Sequence, residues 1–146
     1  MITEYHFPTP VYIKEIPNSG ELNHHLEKNI LQWQKDDPKG VSKTNVNGWH
    51  STTDMNKKHE YDPLTKQLFY MQEKIFEKEY LTEKPVLGNM WANINYPGGY
   101  NRPHLHPNAL FSGVYWIKTP KNSGNLMLYE PCLLYTSPSP RDRTRS

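Results

Sequence analysis

The sequence predicts a mixed α+β fold, mostly β with two flanking helices, and three features carry that prediction. Runs at residues 90–95, 111–118 and 125–129 alternate apolar with polar side chains or concentrate β-branched and aromatic ones, as strands do. Two segments, opening near Asn18-Ser19-Gly20 and at Asp62-Pro63, repeat apolar residues every three to four positions, the period of a helix with one buried face. Thirteen prolines and ten tyrosines suit a loop-rich β protein better than a helical bundle.

Taken in order, residues 5–16 read as an opening strand. Val11, Ile13 and Glu15 alternate with Tyr12, Lys14 and Ile16, and Pro8 and Pro10 restrict it to an edge or an irregular start. The first helix carries Leu22, Leu26, Ile30 and Trp33 on one stripe, with Leu31 beside them. His24 and His25 are adjacent and cannot share a face, so they read as solvent-facing. Asp36 to Gly40 ends that helix. Residues 41–59 are polar, with Asn47-Gly48 as a turn signal; Trp49 is expected to anchor the stretch and His50 to lie in a surface loop, with a substrate-facing loop as the alternative. The second helix has aspartate at its N-cap and proline at the first helical position. Leu64, Leu68, Met71 and Ile75 form its stripe, broadened by Phe69, Phe76 and Tyr80, and the stripe is expected to face a sheet. A Pro-x-x-Ser-Gly turn at Pro120 to Gly124 separates the last two strand-like runs.

Composition narrows the function classes. A mean hydropathy of −0.88 with 22% charged residues describes a soluble single domain. No run is apolar and long enough to span a bilayer, and the N-terminus lacks the basic and apolar regions of a secretory leader, so a cytoplasmic location without membrane partners is expected. One cysteine, Cys132, allows no internal disulfide. The net charge of +2 comes from Arg141, Arg143 and Arg145 set against Asp142; the rest of the chain balances at 14 basic and 14 acidic residues. No basic stripe therefore argues for a nucleic-acid partner. No G-x-S-x-G occurs, so serine-hydrolase chemistry has no support.

The chemistry-bearing stretch is residues 91–129. It holds His104 and His106, the one closely spaced histidine pair away from a helix. Residues two apart on an extended segment point the same way, so both imidazoles could reach one ion from a strand end. The pair sits between Pro103 and Pro107, after Gly98-Gly99, Asn101 and Arg102 and before a run holding Tyr115 and Trp116. Imidazole suits iron, zinc, copper and nickel alike. The plain alternative is a pair of polar loop residues.

The pattern W-x-N-x-N (Trp91, Asn93, Asn95), G-x-N-x-x-H-x-H-P (Gly99, Asn101, His104, His106, Pro107), S-G-V-Y-W (residues 112–116) and P-x-x-S-G-x-L-x-x-x-x-P (Pro120 to Pro131) resembles a family of 2-oxoglutarate/iron(II)-dependent oxygenases. The resemblance extends to residues 7–12 and 48–51. It implies a double-stranded β-helix, or jelly roll, with Fe(II) at its mouth and 2-oxoglutarate as co-substrate, whose oxidative decarboxylation is coupled to hydroxylation of a second substrate. It carries His104 over as the first metal ligand and His106 as the second, at a position where most such oxygenases have a carboxylate. It also sets Asn93, Asn95, Asn101, Ser112 and Tyr115 as candidates for the pocket of co-substrate or substrate, with Tyr115 equally readable as core.

In the family pattern a distal histidine and a basic residue for 2-oxoglutarate follow Pro131. Here residues 132–146 follow instead, and Cys132 to Asp142 resembles the one-frame translation of a transposase sequencing adapter. Residues 1–131 are thus expected to be the N-terminal part of an oxygenase domain and 132–146 an artefactual, disordered tail, leaving a partial jelly roll that is inactive alone. Two other classes compete: a non-catalytic cupin-like jelly roll that binds a metal or ligand, and an interaction module whose histidines hold no ion.

Overall fold

The computed structural model describes residues 9–129. Two 17-residue helices, α1 (Gly20–Asp36) and α2 (Asp62–Lys78), flank a two-stranded antiparallel ladder of β1 (Asn45–His50) and β2 (Asn93–Asn101). Two short 3-10 turns, Met55–Lys57 and His59–Tyr61, lead from β1 into α2. The fold is mixed α+β, with helix outweighing strand among the described residues. None of the helices in that range is long and apolar enough to cross a membrane.

The helices stand where apolar periodicity puts them. Leu26 and Ile30 of α1 are buried, and with Trp49, Met55, Tyr61, Leu64, Met90 and Ala92 they form the core. Trp33 on α1 meets Trp49 edge-on, ring centroids 6.0 Å apart, and lies 5.8 Å from the Tyr61 ring. The Trp49 indole N–H donates to the Asp37 carbonyl at 2.8 Å, which satisfies the buried donor and seals the end of α1. On α2, Leu64 is buried and Leu68 is packed beside the core, while Phe69, and Tyr80 just past the helix, are exposed. The apolar stripe of α2 is therefore narrower than its sequence suggests. The second half of α2 instead meets segments before α1 and after β2: Phe111 packs against both Phe76 and Tyr12, with centroids 6.0 and 6.1 Å away. Lys14 lies over the Tyr70 ring at 4.1 Å.

The ladder differs from expectation in three ways. Residues 45–50 pair as β1, where the sequence reads as turn and loop; the run is polar because its outer face is wet, and only Trp49 and His50 are buried. β2 begins three residues after Met90 and runs past the Gly-Gly pair. The register shifts between Val46↔Tyr100 and Gly48↔Asn95, so one residue of β1, Asn47, stands opposite four of β2. Gly98 there has φ of +75°, and a Cβ on Gly99 would stand 2.2 Å from the Asn47 carbonyl oxygen, so both positions need glycine. Thirdly, residues 9–16, 111–118 and 125–129 have no ladder partners among the described residues and do not form strands there. β-branched and aromatic residues favour a pleated surface only when a neighbouring edge supplies the hydrogen bonds. The turn at Pro120 to Gly124 is present, closed by the Ser123 N–H on the Pro120 carbonyl at 3.0 Å. Residues 132–146 lie outside the described range, as do residues 1–8.

Candidate metal centre

The ladder ends at Asn101, paired with Asn45, and one further bond, Arg102 N–H to the Thr44 carbonyl at 2.9 Å, fixes the chain as it leaves β2. His104 and His106 follow on irregular backbone just past the strand end rather than on the strand. Their rings are neighbours, with centroids 4.8 Å apart and planes at 71°. An imidazole centroid stands about 3.2 Å from an ion that its nitrogen holds at about 2.1 Å, so two rings about 90–110° apart around one ion have centroids about 4.5–5.2 Å apart. The observed separation fits a shared ion.

His104 donates its Nδ1–H to the Arg102 carbonyl at 2.7 Å, which sets the tautomer and leaves Nε2 as the free lone pair. His106 stacks on Trp91, centroids 5.7 Å apart and planes 27° apart. The other histidine at this indole is His50, stacked at 5.5 Å with planes at 13°. His50 is buried on β1, contrary to the surface loop its sequence context suggests, and its Nδ1 donates to the Ser51 carbonyl at 2.5 Å. Withdrawal from solvent, then the charge of the neighbouring His104, hold the His106 imidazole below its ordinary pKa range. The residue keeps an exposed edge, so burial acts on the part of the ring turned inward. Both effects favour the neutral ring, the form that binds a metal.

The remaining candidates are spread along the chain. Asn93 and Asn95 are exposed on β2, opposite His50 and Gly48, and Asn101 ends that strand. Ser112 is exposed. Tyr115 is partly buried against the core and donates its phenol O–H to Asn23 Oδ1 on α1 at 2.6 Å. Only His104 and His106 are brought into contact with each other, and among the described residues no three His, Cys, Asp or Glu side chains cluster closely enough to hold an ion. The donor set on hand therefore fits two positions of a metal's coordination sphere, and the choice of imidazoles suits iron among other ions.

Trp91 opens the family-like pattern and His50 reads as a loop histidine, and the sequence places neither at the metal site. Their signal was weak: Trp91 reads as an ordinary strand aromatic, and His50 lies 54 positions before His104. A cavity also opens beside His106, bounded by α2, residues 85–89 and residues 105–111. Nothing in the spacing of its walls marks it in the sequence.

Comparison with known proteins bears on the same region. Residues 89–145 match the family model described as "Putative 2OG-Fe(II) oxygenase". That segment begins beside Met90, takes in β2 and both histidines, and runs through most of residues 132–146. No curated protein and no solved structure matches the chain.

Proposed function

We propose that the chain carries the metal-binding corner of a 2-oxoglutarate- and Fe(II)-dependent dioxygenase, with His104 and His106 as two of the iron ligands. The observation that carries this reading is the contact of the two imidazoles at the end of β2, inside the segment similar to the oxygenase family. In this reading the β1–β2 ladder is the first part of a jelly roll, and the histidines stand at its open end. Bound iron with 2-oxoglutarate would supply the oxidising chemistry. His104, pinned by the Arg102 carbonyl, would offer Nε2, and His106, backed by Trp91, would offer the second nitrogen. Two neutral imidazoles leave the charge of Fe(II) unbalanced, so a carboxylate or the co-substrate itself is needed to complete the site. Of the candidate residues, Asn101 stands nearest the pair along the chain and is the amide we place in that site, with Asn93, Asn95 and Ser112 farther out. Tyr115, tied to α1, holds the following segment in place.

Anaerobic Fe(II) titration of the protein and of its His104→Ala and His106→Ala variants tests the ligand assignment. Iron binding that either substitution weakens at least about tenfold supports it. Iron binding unchanged by both substitutions overturns it. Succinate formation from 2-oxoglutarate by an iron-loaded intact homologue, one that carries the distal histidine and basic residue, separates the oxygenase from a non-catalytic metal-binding jelly roll.

A further inference from the structure

The end of β1 buries two consecutive side chains. Successive residues of a strand point to opposite sides, so Trp49 and His50 face apart, yet both are buried. Trp49 lies in the core beside Trp33. His50 stacks instead on the Trp91 indole, ring centroids 5.5 Å apart and planes at 13°. Trp91 sits between Met90 and Ala92, which are both core residues, and its indole also stacks on His106 at 5.7 Å. Trp91 is therefore the ring that a buried histidine of β1 and a histidine of the metal site share.

His50 is the fixed member of this stack. Its backbone pairs with Asn93 across the ladder, and its carbonyl accepts the Val41 N–H at 2.8 Å. The following N–H, of Ser51, donates to the Ala92 carbonyl at 3.0 Å. The ring itself is tied down, because Nδ1 donates to the Ser51 carbonyl and the imidazole cannot turn without losing that bond. Trp91 precedes β2 and is only partly buried, and His106 follows β2 on irregular backbone. The orientation of each of those two rings depends on what it packs against. An offset aromatic pair favours one orientation of a ring by about three- to tenfold.

We propose that His50 is a positioning residue for the metal site: anchored in β1, it holds the Trp91 indole at the angle at which that indole backs His106. Its effect on iron rests on the ligand reading of His104 and His106; the coupling of the three rings does not. His50 acts through Trp91 and not on the ion, so its influence vanishes when Trp91 is removed.

Metal-free protein gives the first test, by NMR at a pH where the imidazoles are neutral. The Trp91 ring current displaces the His106 ring-proton resonances. In His50→Ala these should move toward their positions in Trp91→Ala, and in the double variant they should coincide with them. His50→Phe, which keeps a ring beside the indole, should return them most of the way. Anaerobic calorimetry gives the second test: His50→Ala should weaken Fe(II) binding about three- to tenfold, and should cause no further loss in the Trp91→Ala background. Unchanged Leu26 methyl signals certify the fold of each variant, and His50→Leu, which keeps the volume, replaces His50→Ala if those signals are lost. Unmoved His106 resonances, no rescue by His50→Phe, or an equal loss of iron affinity with and without Trp91 would overturn the proposal. If the resonances move but the unaltered protein binds no iron, the ring coupling stands and the metal site falls; iron binding that depends on His104 but not on His50 does the reverse.

Discussion

Trp91 stacks on His106 with ring centroids 5.7 Å apart, and its indole also stacks on the buried His50. One aromatic side chain thus links the core to the imidazole pair. Replacing Trp91 by alanine should free the His106 ring to turn and weaken Fe(II) binding by about 10–100-fold, the usual cost of losing a group that orients a ligand. Trp91→Phe should restore most of it. Anaerobic titration followed by calorimetry measures both, and an ion at His106 should also quench Trp91 fluorescence in the unaltered protein.

The two imidazoles should titrate unequally. Partial burial and then the nearby His104 charge depress the His106 pKa. The sign follows: the folded chain prefers the neutral ring, so this contribution to stability is present above the unfolded histidine value of about 6.5 and is lost as pH falls through the lower folded value. NMR titration of the His106 ring should give a midpoint below the ordinary imidazole range, and His104→Ala should move it part of the way back.

At the alkaline end the sensitive group is Tyr61. Burial, and then the adjacent Glu60, push its phenol up to about 12. A raised pKa means that the folded chain favours the protonated phenol. The associated stability is complete below the unfolded tyrosine value of about 10 and is lost as pH rises through the folded value. Tyr61→Phe should remove this step from the stability–pH curve, as followed by urea unfolding at successive pH values.

Ser51 holds the start of the β2 segment to β1. It is fully buried; its Oγ accepts the Ala92 N–H at 3.0 Å and donates to the Thr52 carbonyl at 2.7 Å. Ser51→Ala should leave the Ala92 donor without a partner and cost about 1–3 kcal/mol. Chemical denaturation gives this directly. Ser51→Cys, which keeps a weak partner at the same place, should cost less.

Tyr115→Phe removes one hydrogen bond, to Asn23 on α1. A loss of about 0.5–1.5 kcal/mol in unfolding free energy is expected, with Fe(II) affinity unchanged. A drop in iron affinity larger than the stability change would place the phenol in the site instead of between segments.

The helices and the histidine pair were legible in the sequence for a common reason: each is a local pattern. Leu22, Leu26 and Ile30 repeat at the helical period, and His104 and His106 stand two positions apart whatever surrounds them. β1 was not legible, because Asn45, Val46, Asn47 and Gly48 lack the alternation of a half-buried strand, and its pairing comes from residues 93–101. Residues 111–118 show the converse. Their composition is that of a strand, but no described edge lies beside them, and Tyr115 and Ile117 settle against the core instead. The cavity was hidden for the same reason as β1: its walls, from Gln72 to Phe111, meet only after folding.

The bond from the Arg102 N–H to the Thr44 carbonyl lies just two residues ahead of His104. So short a leash leaves little slack in where the two imidazoles stand. One extra residue at Pro103 would swing both away from Trp91, whereas lengthening the chain beyond Pro107 would leave them in place. The region downstream is thus free to be reshaped around new molecules while the imidazole pair stays as it is.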